Sequence, residues 1–198
     1  MKKFELTTEF ITNAFGKKLF RIKALVEFGD VKAGELGGYV EKEGNVSQAD
    51  NAWVSGDARV YGDARVYDDA RVSGNAWVSG SAEVYGDAWV RGDAWVHGDA
   101  RVSGDARVYG NAWVSGNARV YGDADYALVQ GFGTEFRYTT FYSGKNKKIM
   151  VNCGCFHGDL EGFRKQVKET RNGKIAKEYL MIADLMEYHF TSEDSSNE

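Results

Sequence analysis

The chain has 198 residues, a net charge of −4 and a hydrophobic content of 43%, with 24 glycines, two cysteines and no proline. That length holds one large or two small domains, and the acidic balance gives no global attraction to nucleic acid or to an anionic membrane surface. Glycine without proline excludes an ordinary low-complexity linker and points to one backbone geometry used many times.

The opening MKKFELTTEF alternates polar and apolar residues instead of building a signal-peptide core, and no apolar run approaches 18 residues. A soluble, cytoplasmic protein is the expectation. Cys153 and Cys155 lie too close together for a disulfide framework, which agrees with a reducing compartment. Residues 1–50 read as an N-terminal cap. Phe4–Leu6 and Leu19–Ile22 flank the turn-like Asn13-Ala14-Phe15-Gly16 as a β-hairpin, and residues 28–50 form an irregular first coil in which Val40 and Val46 are six apart. The stretch Ser47-Gln48-Ala49-Asp50 adds two residues before a regular register begins.

From residue 51 valine recurs every sixth position, from Val54 to Val120, with Tyr126 in the thirteenth place. The pattern V-x-G-(D/N)-A-x suits a short strand followed by a tight corner rather than a helix of 3.6 residues per turn. Valine points inward, alanine fits the narrow corner, and Gly with Asp or Asn supplies the turn. Three such strands close a triangular coil of 18 residues, and successive coils stack at about 4.8 Å. The expected β-helix occupies 51–133.

The composition changes after Gly133. Residues 135–142 and 147–156 are expected as strands. A helix carrying Leu160, Phe163 and Val167 follows, then a second helix with Ile175, Tyr179, Ile182, Leu185 and Met186 on one face. This is a ββαα module over 134–198, ending in an acidic tail from Thr191 that is expected to be disordered. The fold class predicted is therefore all-β dominated: a parallel β-helix with an N-terminal β cap and a small C-terminal ββαα module.

The V-x-G-(D/N)-A-x hexads resemble the left-handed β-helix of the hexapeptide-repeat superfamily. The whole layout, with Gly37-Gly38-Tyr39-Val40 before the hexads and Cys153-Gly154-Cys155-Phe156 after them, is similar to uncharacterised hexapeptide-repeat proteins of bacteria, prophages and phages. The resemblance implies a left-handed helix. It also implies a phage accessory protein working in the host cytoplasm, with interference in a host defence pathway as a plausible role.

Residues 18 apart stack into columns, so the outer chemistry can be read face by face. One face carries Arg59, Trp77, Trp95 and Trp113, with Tyr61, Ser79, His97 and Ser115 beside them; so much apolar surface points to a subunit interface, an internal contact or a ligand platform. A second carries Trp53, Arg71, Trp89 and Arg107 beside Arg91, where Arg stacked on Trp could hold a phosphate or carboxylate. The third, Arg65, Glu83, Arg101 and Arg119, reads as a solvated face. Asp69, Asp87, Asp105 and Asp123 stack at one corner, either capping turns or inviting a cation.

Catalytic signals are sparse. The superfamily's acyltransferases, which the fold resembles, commonly use a histidine base beside an extruded loop; here the hexads are unbroken and His97 is the sole histidine among them. His97, His157 and His189 are too dispersed to act as a zinc triad. Cys153, Cys155 and His157 alternate along an expected strand but want a fourth ligand. The reading is a binding or scaffold protein without a cofactor, assembled as a homo-oligomer with a trimer favoured, whose Trp- and Arg-lined faces hold a host protein or a small nucleotide-like anion. Acyl transfer and a purely structural spacer are the alternatives.

Overall fold

The computed structural model describes residues 2–191. The expected tail therefore lies outside the described residues, apart from Thr191, which ends the last helix. The chain divides into two compact units, one reaching Asp123 and the other starting at Ala124.

The first unit is a parallel β-solenoid. Strands β1 (Phe4–Thr12) and β2 (Lys18–Ala24) form an antiparallel hairpin, and β3 (Leu36–Val40) pairs with β2. Twelve two-residue strands then follow at six-residue intervals, β4 to β15, from Trp53–Val54 to Arg119–Val120. They sort into three faces, β4-β7-β10-β13, β5-β8-β11-β14 and β6-β9-β12-β15, and the hairpin with β3 extends the second of these. Val60 stacks on Val78, Val78 on Val96 and Val96 on Val114, so each coil takes 18 residues. At the first coil the offset is larger. Val40 sits over Val60 and Val46 over Val66, which absorbs the two extra residues before Asn51.

The core is a prism of fully buried valines and alanines, and almost every polar group at its wall is backbone paired to the next coil, as Trp77 N–H to Ala94 O and Ser79 N–H to Val96 O. The corner glycines from Gly56 to Gly116 take a left-handed conformation, because the chain must reverse direction without a Cβ pushing into the coil below. Asp68 takes this place once, at φ 56°, and its carboxylate accepts the Gly86 N–H at 3.2 Å.

Polar side chains close the upper end of the prism. Asn45 is fully buried; its amide donates to Gly62 O and Ala64 O, and its Oδ1 accepts the Lys42 N–H. Gln48 pairs with both backbone groups of Phe4. Lys3 is 4% exposed, and its ammonium donates to Ala49 O, Asp50 O and Ala52 O. Burial lowers its pKa from 10.5 to about 8, against the pull of Asp50. Between those values the unfolded chain binds more protons than the folded one, so the contribution of Lys3 to stability rises with pH across the window from about 8 to 10.5. The stability gap between the wild type and Lys3→Met is expected to widen over that window, by about 3 kcal/mol at most. Urea unfolding at about pH 7.5 and about pH 10.5, near the two ends of the window, checks it; an unchanged gap would refute the assignment.

The second unit corrects the expected ββαα module. Its sheet has four antiparallel strands, β16 (Tyr126–Val129), β17 (Thr139–Ser143), β18 (Ile149–Cys153) and β19 (Phe156–Asp159), followed by α1 (Leu160–Thr170) and α2 (Gly173–Thr191). Tyr126, in phase with the valines, belongs to this sheet: it pairs antiparallel with Tyr142. The solenoid therefore ends about ten residues before the expected boundary at 133, because β16 takes β17 as its partner rather than a further coil. Asp159 caps α1 by accepting the Gly162 N–H, and its pKa is lowered by the Lys148 ammonium and by that cap. Phe141, Val151, Leu160, Phe163, Val167, Ile182 and Met186 form the core. Leu185 does not join them: it is exposed, on the side of α2 that also bears Met181 and Tyr188. Among the described residues, no helix is long and apolar enough to cross a membrane.

Candidate functional site

The β5-β8-β11-β14 face positions an aromatic column, since the residue before each valine points outward and the register places it over its counterpart one coil away. Trp77 and Trp95 are stacked, with centroids 4.7 Å apart and planes 7° from parallel. The Arg59 guanidinium lies over the other face of Trp77 at 5.0 Å. Trp113 breaks the stack. Its plane is turned 62° from that of Trp95, and its indole N–H donates to His97 Nε2 at 2.5 Å.

Beside this column runs a groove of about 460 Å³ lined by Tyr61, Ser79, Gly80, the three tryptophans and His97, with Ala14 and Phe15 at one side. The last two come from the turn of the N-terminal hairpin, where Asn13 Oδ1 accepts the N–H groups of Phe15 and Lys17 and so sets the turn. The cap thus contributes to the groove as well as covering the prism end, a role that its turn sequence alone does not reveal. Phe15 is 76% exposed, Trp95 40% and Trp113 38%, which leaves contiguous apolar surface in water.

His97 is placed differently from a general base. Its Nε2 accepts the Trp113 N–H, so that lone pair is engaged and not open to a substrate proton while the bond holds. The histidine holds an indole in position.

The second face does not form one continuous stripe. Trp53 is buried between Phe4 and Phe28, with centroids at 6.2 and 5.4 Å, and so belongs to the core. Arg71 is ion-paired with Asp30. Trp89 is 48% exposed, Arg107 is exposed and Arg91 lies over Tyr109 at 5.6 Å. Covering by the N-terminal segment separates the first two residues of this column from the last two. On the third face Arg101 pairs with Glu83 at 2.9 Å, and Tyr67 stacks on Tyr85, as a solvated face with local pairing would.

The corner aspartates do not converge. Asp69 accepts from the Asn51 amide, and Asp123 accepts the Arg107 backbone N–H of the last coil while opening a short 3-10 turn. Among the described residues, no three His, Cys, Asp or Glu side chains are placed to share a metal ion. The expected alternation of Cys153, Cys155 and His157 on one strand also fails: Cys153 ends β18, Cys155 sits in the turn and His157 lies on β19, bonded to Asn152. Gly154, at φ 60°, makes the reversal that separates them.

A family model described as the YdcK beta solenoid repeat matches residues 64–80 and 100–116. The two stretches occupy the same phase of the repeat, two coils apart. The chain carries a β-solenoid repeat. No curated protein matches it.

Proposed function

We propose that this is a binding protein rather than an enzyme and that the aromatic groove on the β5-β8-β11-β14 face is its binding surface. The observation that carries the reading is the column of half-buried Trp77 and exposed Trp95 and Trp113 with Phe15 beside it, an apolar recess within the size range of small-molecule sites. The repeat makes such a site rigid, since Trp77 and Trp95 stand on strands hydrogen-bonded to the coils on either side and Trp113 on the last strand of the face, bonded to the coil before it.

Acyl transfer through His97 has less support, because the nitrogen that would accept a proton already holds Trp113. A purely structural spacer leaves the exposed indoles without a purpose. The anionic version of the ligand also loses support: Arg71 is paired with Asp30, and no charged side chain lines the groove. The resemblance to phage and prophage proteins favours a left-handed helix, a homotrimer and capture of a host component as the setting.

Native mass spectrometry of the gently purified chain, beside Trp95→Ala, tests the proposal. Wild type is expected as an oligomer retaining added mass, and the variant is expected to lose that mass. Added mass that is indifferent to Trp95, or a bare wild-type monomer, would contradict it.

A further inference from the structure

Three properties of the groove restrict what it can hold. The first is charge. With no carboxylate, ammonium or guanidinium in the lining, and the His97 Nε2 engaged by Trp113, a charged ligand would lose its hydration without gaining an opposite charge. The second is the orientation of the rings. One face of Trp77 is covered by Arg59 and the other by Trp95, so the surface these rings leave to the groove is their edges. Ring edges carry positive partial charge and ring faces negative, so an edge is best met by the face of another π system. The third is extent. The lining spans four rungs, from Tyr61 to Trp113, which at about 4.8 Å per rung is about 14 Å.

Resting on the binding reading above, we propose that the groove takes an uncharged, planar, polycyclic aromatic molecule. It lies flat across the edges of Trp77 and Trp95, abuts the turned ring of Trp113 and is flanked by Phe15. His97 is a positioning residue: by accepting the Trp113 N–H it keeps that indole out of the stack and makes it an end wall. Had Trp113 continued the parallel stack, the column would present a third edge and no wall.

The test uses Nile red, which is neutral and planar, and the anionic anilinonaphthalene sulfonate, each titrated into the full chain and followed by probe fluorescence. Nile red is expected to bind saturably and at least tenfold more tightly than the anion. Ser79→Trp, an outward substitution that fills the groove, and Trp113→Ala are each expected to weaken Nile red at least tenfold, with circular dichroism and the unfolding midpoint checking that the solenoid persists. Tighter binding of the anionic probe would overturn the ligand class while leaving the groove as the binding surface. So would failure of Nile red in a protein whose retained mass depends on Trp95, which would point to a partner protein. Nile red binding unaffected by either substitution would remove the groove from both proposals.

Discussion

Gly80→Ala is expected to destabilise the solenoid by about 2–4 kcal/mol, a large part of a typical folding free energy. Gly80 has φ 70°, where an L side chain is strained, and a Cβ there would lie 2.9 Å from Gly98 N and 3.0 Å from Gly98 O. Both neighbours are backbone atoms of the next coil, which is itself held by the Ser81 N–H to Gly98 O bond. The methyl group can be relieved only by opening the stack. Asp68→Gly supplies the contrast, because Asp68 already carries a side chain at φ 56°. Glycine would relax that strain but lose the bond to the Gly86 N–H, so a change within about 1 kcal/mol is expected. All five tryptophans lie in the first unit, so urea unfolding followed by their fluorescence reports on the solenoid alone. Equal midpoints for Gly80→Ala and wild type would refute the corner geometry.

Asn45→Leu is expected to cost about 2–3 kcal/mol, because it strands the buried Ala64 O and removes the partner of two part-buried groups, Gly62 O and the Lys42 N–H. The isosteric Asn45→Asp is expected to be at least as damaging near neutral pH. It turns the two-donor amide edge into oxygen facing two carbonyl oxygens, 3.1 and 2.8 Å from the present nitrogen. The buried carboxyl would then hold its proton more firmly in the folded state than in the unfolded one. The Asp variant should therefore recover stability as pH falls, which the Leu variant should not. Thermal unfolding of both variants at pH 7 and at mildly acidic pH checks this; a neutral Asn45→Leu would mean that water replaces the amide at the prism end.

The middle of the fold was legible because its rule is local. Val54 to Val120 repeat at six, and one coil predicts the next, so strands, corners and the inward alanines follow from a few residues. The ends were not legible for the opposite reason. Lys3, Asn45 and Gln48 satisfy backbone groups more than a dozen residues away, and nothing in their neighbours' types marks them as buried. Tyr126 keeps the period but changes its pairing partner, which spacing cannot register. Leu185 fits a helical stripe with Ile182 and Met186, yet a helix with apolar residues on two sides does not say which side meets the sheet.

The candidate site was half legible. The column of Trp77, Trp95 and Trp113 could be read from the 18-residue coil, and so could the neighbouring Tyr61, Ser79 and His97. Trp53 occupies the same slot in its own hexad as those tryptophans but is buried, because Phe4 and Phe28 from outside the repeat cover it. In the sequence Phe15 is only part of a turn, and its place beside the groove depends on how the hairpin joins the sheet through β3. The repeat displays side chains in predictable rows; the non-repeating segment decides which rows remain open.

The most direct test of the binding assignment is native mass spectrometry of the full chain, with Trp95→Ala measured in parallel. The expected result is an oligomer, a trimer if the superfamily resemblance extends to assembly, carrying extra mass that disappears in the variant while the fold persists. A bare wild-type monomer, or extra mass retained unchanged by Trp95→Ala, would contradict the assignment and leave the column as surface without a ligand.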